Sequence, residues 1–353
     1  MPFEWDEIQS KWLFNSPSPF RQEEVVKAFN YVEQEFGSTF FDGYKWLRGI
    51  YVLTLILDLN KVIEEVKKGN CRLPEKGEVV NLVKNNRIHL ASLVIRLAAC
   101  FLRHNLIVEF EPEIGERKPD LRVNFDGTWI YIEESKLDFS NRFKVMNKVM
   151  EQISEVMGTI NSSLSIDVTL LKEDLEPKEV KRILDEIRFL SNSSGQLQES
   201  TIRDLARIVT YQKGQLKPLT EENRPALCMD SLSVGGGFER HLHVEIYFTD
   251  VRLNKILKKT QQLPSQESNL LILDISIPSD MKAWSKLVET TLQPKQHRRL
   301  SGVLLVEEHL FIKSLKTDST LILHPNPRKQ LSPDFIKLIE SCFKEYSEFQ
   351  YSP

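Results

Sequence analysis

The sequence predicts an α/β protein, with a mixed central sheet flanked by helices and preceded by a helical N-terminal region. Apolar residues recur at three- and four-residue spacing in segments such as EEVVKAFNYVEQEF, which is typical of amphipathic helices. Short runs of β-branched and aromatic residues begin near residue 106 and are separated by turn residues, as strands are. Strands then alternate with helical segments, which favours a sheet covered on both faces.

The first part of the chain is predicted to be helical up to about residue 70. Residues 16–20 (SPSPF) indicate a loop within this region, and the turn residues of 70–78 (NCRLPEKGE) end it. A second helix is expected from about Glu78 or Lys84 to His104, because apolar residues there form one broad face.

Three strands follow the second helix. They are predicted at residues 106–113, 118–125 and 128–136, and a helix at 141–157 and a strand at 164–171 come next. Strands joined by short turns are expected to pair antiparallel. The resulting order is helix, three strands, helix and strand.

The rest of the chain continues this alternation after an interruption. Residues 177–237 begin helical, become polar and end in GGG, and we expect a mobile insertion there. Beyond it we expect strands at 241–248, 269–276, 302–308 and in HLFIKSL and TLILHP, and helices ending near Gln262, Leu292 and Tyr346. Four segments are predicted: an N-terminal helical region (1–75), a core (76–175), a helical and loop insertion (176–238) and a C-terminal α/β extension of the sheet (239–353).

The composition excludes several classes of protein. The 353 residues are 41% apolar and 27% charged, as in ordinary globular proteins, and no window approaches about 18 uninterrupted apolar residues, so no membrane partner is expected. The acidic start MPFEWDEIQ is unlike a secretory signal, and a cytoplasmic location is expected. With 47 basic and 50 acidic residues the formal charge is -3, so nucleic-acid contacts must come from local patches.

The cysteines, at 71, 100, 228 and 342, show no CxxC spacing. We therefore expect neither a zinc knuckle nor a disulfide framework, and interpret them as buried or idle thiols. The sequence also lacks the GxSxG, GxGxxG and HExxH motifs, so serine hydrolases and dinucleotide enzymes are unsupported.

The most informative feature is Pro119-Asp120, followed after 13 residues by Glu134-Ser135-Lys136. Side chains alternate along a strand, so Glu134 and Lys136 share one face, while Glu133 takes the other. Two carboxylates that converge at a hairpin end repel each other unless a cation lies between them, and hard oxygen ligands suit Mg²⁺ or Mn²⁺. A lysine on the same face can hold or activate an attacking water.

The position of Asp120 depends on the turn between the two strands. Residues 124–128 (NFDGT) fit a three-residue loop with Gly127 in a left-handed bulge. In that register Asn124 lies opposite Thr128, and Asp120 shares the face of Glu134 and Lys136. A two-residue turn would place Asp120 on the other face unless a bulge intervened.

These residues and their order resemble the PD-(D/E)XK nuclease superfamily, whose restriction-endonuclease-like core runs helix, three antiparallel strands, helix, strand. The resemblance covers about residues 84–171. It implies that Asp120 and Glu134 are metal ligands, that Lys136 is the catalytic lysine, and that the core is nuclease-like. Many members also carry an acid in the helix before the first strand. Here Glu78 lies at or before the start of that helix, and neither Glu111 nor Glu113 can be assigned to replace the acid.

The resemblance implies a Mg²⁺- or Mn²⁺-dependent enzyme that hydrolyses phosphodiester bonds in DNA; RNA and a homodimer stay open. Basic residues on helices are candidates for nucleic-acid contacts or for solvated faces: Arg142, Lys144, Lys148, Lys255, Lys258 and Lys259. The basic loop of Lys295, His297, Arg298 and Arg299 is interpreted as a solubility feature. The alternative function is an inactive nuclease-like module that binds nucleic acid or a protein partner.

Overall fold

The computed structural model describes most of the chain, in two compact units. The described residues are 3–6, 8, 21–37, 40–41, 50–85, 87, 90–136, 140–160, 163–172, 175–192, 198–211, 226–235, 238–247, 250–275, 281–311 and 314–347. The first unit comprises Met1–Lys136, Asn254–Ser276 and Val288–Pro353, and the second comprises Leu137–Leu253 and Ile277–Leu287. The four predicted segments stay a prediction.

The first unit contains a seven-stranded mixed sheet, as the predicted fold class requires. Its strands, in spatial order, are β1 (Cys71–Arg72), β2 (Ile107–Phe110), β3 (Leu121–Phe125), β4 (Thr128–Lys136), β10 (Ser268–Asp274), β11 (Gly302–Phe311) and β12 (Ser314–Leu323). Strands β2, β3 and β4 pair antiparallel, whereas β10 lies parallel to both β4 and β11. All seven residues of β10 are buried, as expected for an apolar strand in the centre of a sheet.

The helices of the first unit cover the apolar face of this sheet. They are α1 (Gln22–Phe36), α2 (Ile50–Lys68), α3 (Glu78–Lys84), α4 (Ser92–Arg103) and α9 (Pro333–Ser347). Every residue of α4 from Ser92 to Leu102 is buried, because this helix is apolar nearly all round. The helix predicted to end near His104 is present as α4, but it begins at Ser92. The alternative start at Glu78 is wrong, since α3 ends at Lys84, beside two asparagines that favour helix ends over helix interiors.

The β3–β4 hairpin has a different register from the predicted one. Phe125 pairs with Thr128, so the turn contains two residues, Asp126 and Gly127. Both have positive φ, +49° and +74°, which a type I′ turn requires and which matches the twist of the strands. The predicted three-residue loop, with Asn124 opposite Thr128, is therefore wrong.

The second unit contains its own five-stranded sheet. Its elements are α5 (Ser140–Gly158), β5 (Leu164–Leu170), α6 (Pro177–Asn192), β6 (Gln198–Ile202), β7 (Ala206–Tyr211), β8 (Ala226–Gly235) and β9 (Phe238–Tyr247). The strand order is β6, β7, β5, β9, β8. The strand predicted at 164–171 is confirmed as β5, but it belongs to this sheet, and β10 takes the place beside β4.

The predicted loop insertion at 177–237 was only partly right. Its helical beginning is α6, but three strands follow, and the polar stretch joins the ladder through β8, which pairs with β9 over ten residues. Main-chain hydrogen bonds do not depend on side-chain polarity, which is why the polar composition misled the prediction. Two further helices are α7 (Asp250–Lys259), extended by a 3₁₀ turn at Thr260–Gln262, and α8 (Met281–Thr291).

Two cysteines contradict the interpretation as idle thiols. Cys100 on α4 and Cys342 on α9 form a disulfide, and Cys71 is a buried free thiol. The sequence separation of 242 residues gave no signal of this pairing, which depends on the approach of the two helices. Within the described ranges, no helix has both the length and the apolar character needed to cross a bilayer.

Candidate metal and active site

Four carboxylates line one cleft of about 140 Å³ in the first unit. They are Glu78, Glu111, Asp120 and Glu134. The rest of the lining is apolar and comes from α3, α4 and the residues before α4: Val79, Leu82, Leu90, Ala91 and Val94. The cleft thus contains both acids of the predicted motif and two acids that the sequence left unassigned.

Asp120 lies at the end of the β2–β3 ladder. It precedes β3 by one residue, and its carbonyl oxygen accepts the N–H of Glu111 at 2.9 Å. Glu111 has a φ of +47°, so the backbone bends where β2 ends. The carboxylate Oδ2 of Asp120 accepts the main-chain N–H of Glu134 at 2.6 Å. The two-residue turn therefore gives Asp120 the register position opposite Glu133, not the predicted face, but Asp120 and Glu134 both line the cleft.

The electrostatic environment of Asp120 disfavours its negative charge. Burial, with smaller contributions from the charges of Glu78 and Glu111, raises the pKa of Asp120 to about 6, although the Glu134 N–H stabilises the carboxylate. Burial and the charge of Asp120 likewise raise the pKa of the buried Glu133 to about 8. The protein thus concentrates acids where their ionisation is unfavourable, which is a feature of functional sites.

Glu111 and Gly77 position the beginning of α3. The Oε1 atom of Glu111 accepts the N–H of Val79 at 3.1 Å, which satisfies a free donor in the first turn of the helix. Its Oε2 atom pairs with Lys118 at 2.5 Å. A Cβ atom on Gly77 would lie 2.5 Å from Oε1 of Glu111, so glycine makes this approach feasible. Glu78, the first residue of α3, is thereby held at the cleft.

Two acids outside the predicted motif, Glu78 and Glu111, also line the cleft. Glu78 lies in α3, and Glu111 lies just after β2, whereas Glu113 is exposed and is absent from the cleft lining. Sequence reasoning could not assign them, because it merged α3 with α4 and because the bend at Glu111 has no sequence signature other than the adjacent Pro112. The clustered glutamates of 109–113 were the only available signal.

The third residue of the motif, Lys136, ends β4. Its backbone pairs with Asp274 on β10, and its side chain lies outside the described part of the structure. Asp274 is buried at the end of the neighbouring parallel strand, and the sequence analysis did not single it out. The prediction that Lys136 faces Glu134 stays a prediction.

The predicted nucleic-acid residues differ in what the structure shows. The side chains of Arg142, Lys144 and Lys255 lie outside the described residues, and Lys148 is exposed on α5. Lys258 and Lys259 are exposed on α7. The charge of Lys259 counteracts the upward shift of the pKa of Glu133, so this lysine lies near the acids.

The acids of the cleft do not form a closed metal cage. Among the described residues, one group of three possible ligands has its ligand atoms within 4.8 Å of one another: Cys100, His104 and Cys342. The two cysteines of this group are joined in a disulfide. Mg²⁺ typically takes only one or two carboxylates and keeps several waters. Asp120 and Glu134 offer two carboxylates in an open cleft lined by four acids, which fits that mode of binding.

Comparison of the chain with protein-family models, with curated proteins and with solved structures found no match. The resemblance to the PD-(D/E)XK superfamily therefore stays a prediction.

Proposed function

We propose that the chain is a Mg²⁺- or Mn²⁺-dependent nuclease that hydrolyses phosphodiester bonds in DNA at the acidic cleft. The observation that carries the proposal is that Asp120 and Glu134 line one cleft, with Asp120 directly hydrogen-bonded to the backbone of Glu134. Asp120 and Glu134 are the proposed ligands. The restriction-endonuclease-like fold is part of this proposal.

The fold resemblance is supported by the arrangement around the motif. Buried α4 precedes the antiparallel strands β2, β3 and β4, as the family's order of elements implies. The next strand of that sheet is β10, which is parallel to β4, and the second unit occupies the chain between them. In this proposal β10, rather than β5, completes the nuclease-like core.

The residues of the cleft fit a divalent cation and the chemistry that it supports. When bound, Mg²⁺ or Mn²⁺ supplies Lewis-acid activation of a phosphodiester and of the attacking water. The Glu134 N–H fixes the orientation of the Asp120 carboxylate, and the nearby charges of Glu78 and Glu111 increase the attraction for a cation. Lys136 is proposed to position or activate the attacking water.

Glu111 acts as a positioning residue. Because both of its carboxylate oxygens already contact Val79 and Lys118, we assign it the role of holding α3 and Glu78 in place. The inactive module is the second candidate, and one observation favours it: the acids are not gathered into a closed group of three.

The test is cleavage of plasmid and single-stranded DNA in Mg²⁺ or Mn²⁺, with a structured RNA as a third substrate. We expect Asp120→Asn, Glu134→Gln and Lys136→Ala each to lower the cleavage rate by about 10²- to 10³-fold. Glu113→Gln is the matched control, because Glu113 is exposed and does not line the cleft.

Two outcomes would contradict the proposal. Cleavage that survives both Asp120→Asn and Lys136→Ala would show that the active site lies elsewhere or that the activity is a contaminant. DNA binding without cleavage in either metal would support the inactive module instead.

A further inference from the structure

A group of cations gathers beside the acidic cleft, within the first unit. We call it the basic surface; its members are Arg117, Lys258, Lys259, Arg298, Arg299 and Arg328. Nη1 of Arg117 and Nη1 of Arg299 donate to the same acceptor, the carbonyl oxygen of Leu263, at 3.2 and 3.1 Å. Residues distant in sequence therefore bring two guanidinium groups together at the end of the turn that extends α7.

The loops that carry the other members are joined by hydrogen bonds. Nε of Arg298 donates to the carbonyl oxygen of Asn326 at 3.1 Å, and the main-chain N–H of Arg328 donates to the carbonyl oxygen of Arg298 at 2.7 Å. The buried His324 accepts the N–H of Asn326 and contacts the carbonyl oxygen of Gln296. The loop interpreted from sequence as a solubility feature is thus part of an ordered arrangement.

The cations of this surface lie close enough for their charges to repel one another. Burial and the charges of Arg117 and Arg328 lower the pKa of Arg299, and burial, His324 and Lys258 lower the pKa of His297. Within the described part of the chain, the side-chain hydrogen bonds of Arg117, Arg298 and Arg299 go to main-chain carbonyl oxygens, and no salt bridge joins any of the six cations to a carboxylate. By contrast, the adjacent Lys329 pairs with Glu267.

The basic surface is continuous with the cleft. Arg117 is next to Lys118, whose ammonium group pairs with Glu111 of the cleft. The charge of Lys259 lowers the pKa of Glu133, whereas the charge of Asp120 in the cleft raises it, so Glu133 lies near both groups. A polyanion bound to the basic surface would therefore extend toward the acidic cleft.

We propose that the basic surface binds the phosphodiester backbone of duplex DNA and guides it to the acidic cleft. This inference rests on the proposed function for the meaning of the cleft, but the binding itself requires no catalysis. Guanidinium and ammonium groups bind phosphates regardless of base sequence, so the surface supplies affinity and orientation rather than sequence recognition. The mildly negative total charge of the chain makes this local concentration necessary.

The experiment is fluorescence anisotropy of a labelled duplex with the full chain in EDTA, over a series of salt concentrations. The test variant is Lys258→Glu with Arg328→Glu, since both side chains are exposed and no hydrogen bond from either is part of the fold described above. The control is Lys181→Glu with Lys337→Glu, which changes the net charge equally on exposed faces of α6 and α9.

We expect the test variant to weaken binding by at least about tenfold at low salt, and to reduce the slope of log K against log salt by about 2, because two phosphate contacts are lost. The control should bind like the wild type. Circular dichroism and thermal unfolding check that both variants fold.

Other outcomes would decide against the basic surface as a DNA-binding site, or against the nuclease proposal alone. Binding by the test variant equal to that of the control, or no binding by the wild type at low salt, would overturn the inference. Competition by polyglutamate as effective as by unlabelled DNA would also overturn it, in favour of an acidic protein partner. If the predicted binding is seen but no cleavage occurs in Mg²⁺ or Mn²⁺, the nuclease proposal fails and this inference stands.

Discussion

Two carboxylates in the first unit, Glu65 and Asp120, are held in opposite electrostatic environments. Glu65 on α2 accepts hydrogen bonds from Lys61, Lys68 and Asn70 at 2.8–2.9 Å. Burial raises its pKa, but these partners outweigh burial and lower the pKa to about 2. Burial, with smaller contributions from the charges of Glu78 and Glu111, raises the pKa of Asp120 to about 6.

The ionised form of Glu65 stabilises the fold, whereas the ionised form of Asp120 destabilises it. Glu65 is surrounded by donors within its own helix and the turn after it, so its charge contributes to folding. The charge of Asp120 opposes folding, because the carboxylate is buried and nearby acids repel it, which the N–H of Glu134 only partly offsets. Such destabilised charges are expected where a ligand completes the site.

The largest expected effect on stability comes from Glu65→Gln. This change removes the charge that Lys61 and Lys68 bind, and should lower the free energy of unfolding by about 2 kcal/mol at pH 7. Because the pKa of Glu65 is lowered on folding, its contribution is present above about pH 4.5 and is lost as the pH falls toward about 2. Urea denaturation of this variant and of Glu340→Gln, an exposed acid on α9, checks it. Equal stability of the two variants would contradict the assigned role of Glu65.

Gly77→Ala should have the next largest effect on the free energy of unfolding. The added Cβ would lie 2.5 Å from Oε1 of Glu111, so the carboxylate must move, and we expect a cost of about 1–2 kcal/mol together with slower cleavage. Gly158→Ala is the matched control, since its Cβ would meet no atom within 4 Å. A normal cleavage rate in Gly77→Ala would show that the position of Glu111 is irrelevant to the site.

Binding of the metal should remove part of the repulsion at Asp120. At about ten times its dissociation constant, Mg²⁺ should raise the free energy of unfolding of the wild type by about 1.4 kcal/mol. Asp120→Asn and Glu134→Gln should lose most of this gain, while Glu113→Gln should keep it. Differential scanning calorimetry with and without Mg²⁺ measures the difference, and a gain retained in all three variants would place the ion elsewhere.

The smallest expected effect is stabilisation by Asp120→Asn without metal. An asparagine can still accept the Glu134 N–H but carries no charge, so we expect a gain of about 1 kcal/mol at pH 7, discounted for solvent screening. Because the pKa of Asp120 is raised on folding, the wild type loses stability relative to the variant as the pH rises from about 3.8 to about 6. Denaturation at pH 4 and pH 8 in EDTA checks this sign.

Local pattern was sufficient to predict the elements around the site. The strands at 107–110, 121–125 and 128–136 agree with the predicted ones to within a few residues, because alternation and β-branched composition act locally. The turn was harder, since Asp126-Gly127 is compatible with both a two-residue and a three-residue loop, and a register change of one residue reverses the faces.

Asp120 shows how far the position of a side chain depends on register. The predicted shared face came from a loop that does not form, and the observed register pairs Leu121 with Ile132, yet the carboxylate of Asp120 still accepts the main-chain N–H of Glu134 and both acids line the cleft. Whether the two acids act together stays a prediction. Glu78 and Glu111 line the cleft only because α3 begins close to the end of β2. This is a contact between segments about 30 residues apart in the sequence.

The sequence by itself determined the class of fold, the strands of the hairpin and the candidate acids Asp120 and Glu134, because periodicity and residue chemistry are local properties. Only the tertiary structure decided the division into two sheets, the place of β10 beside β4, the Cys100–Cys342 disulfide and the gathering of arginines at Leu263. The physical reason is that strand partners and distant side chains are selected by packing over the whole chain, where many pairings satisfy the same local pattern equally well.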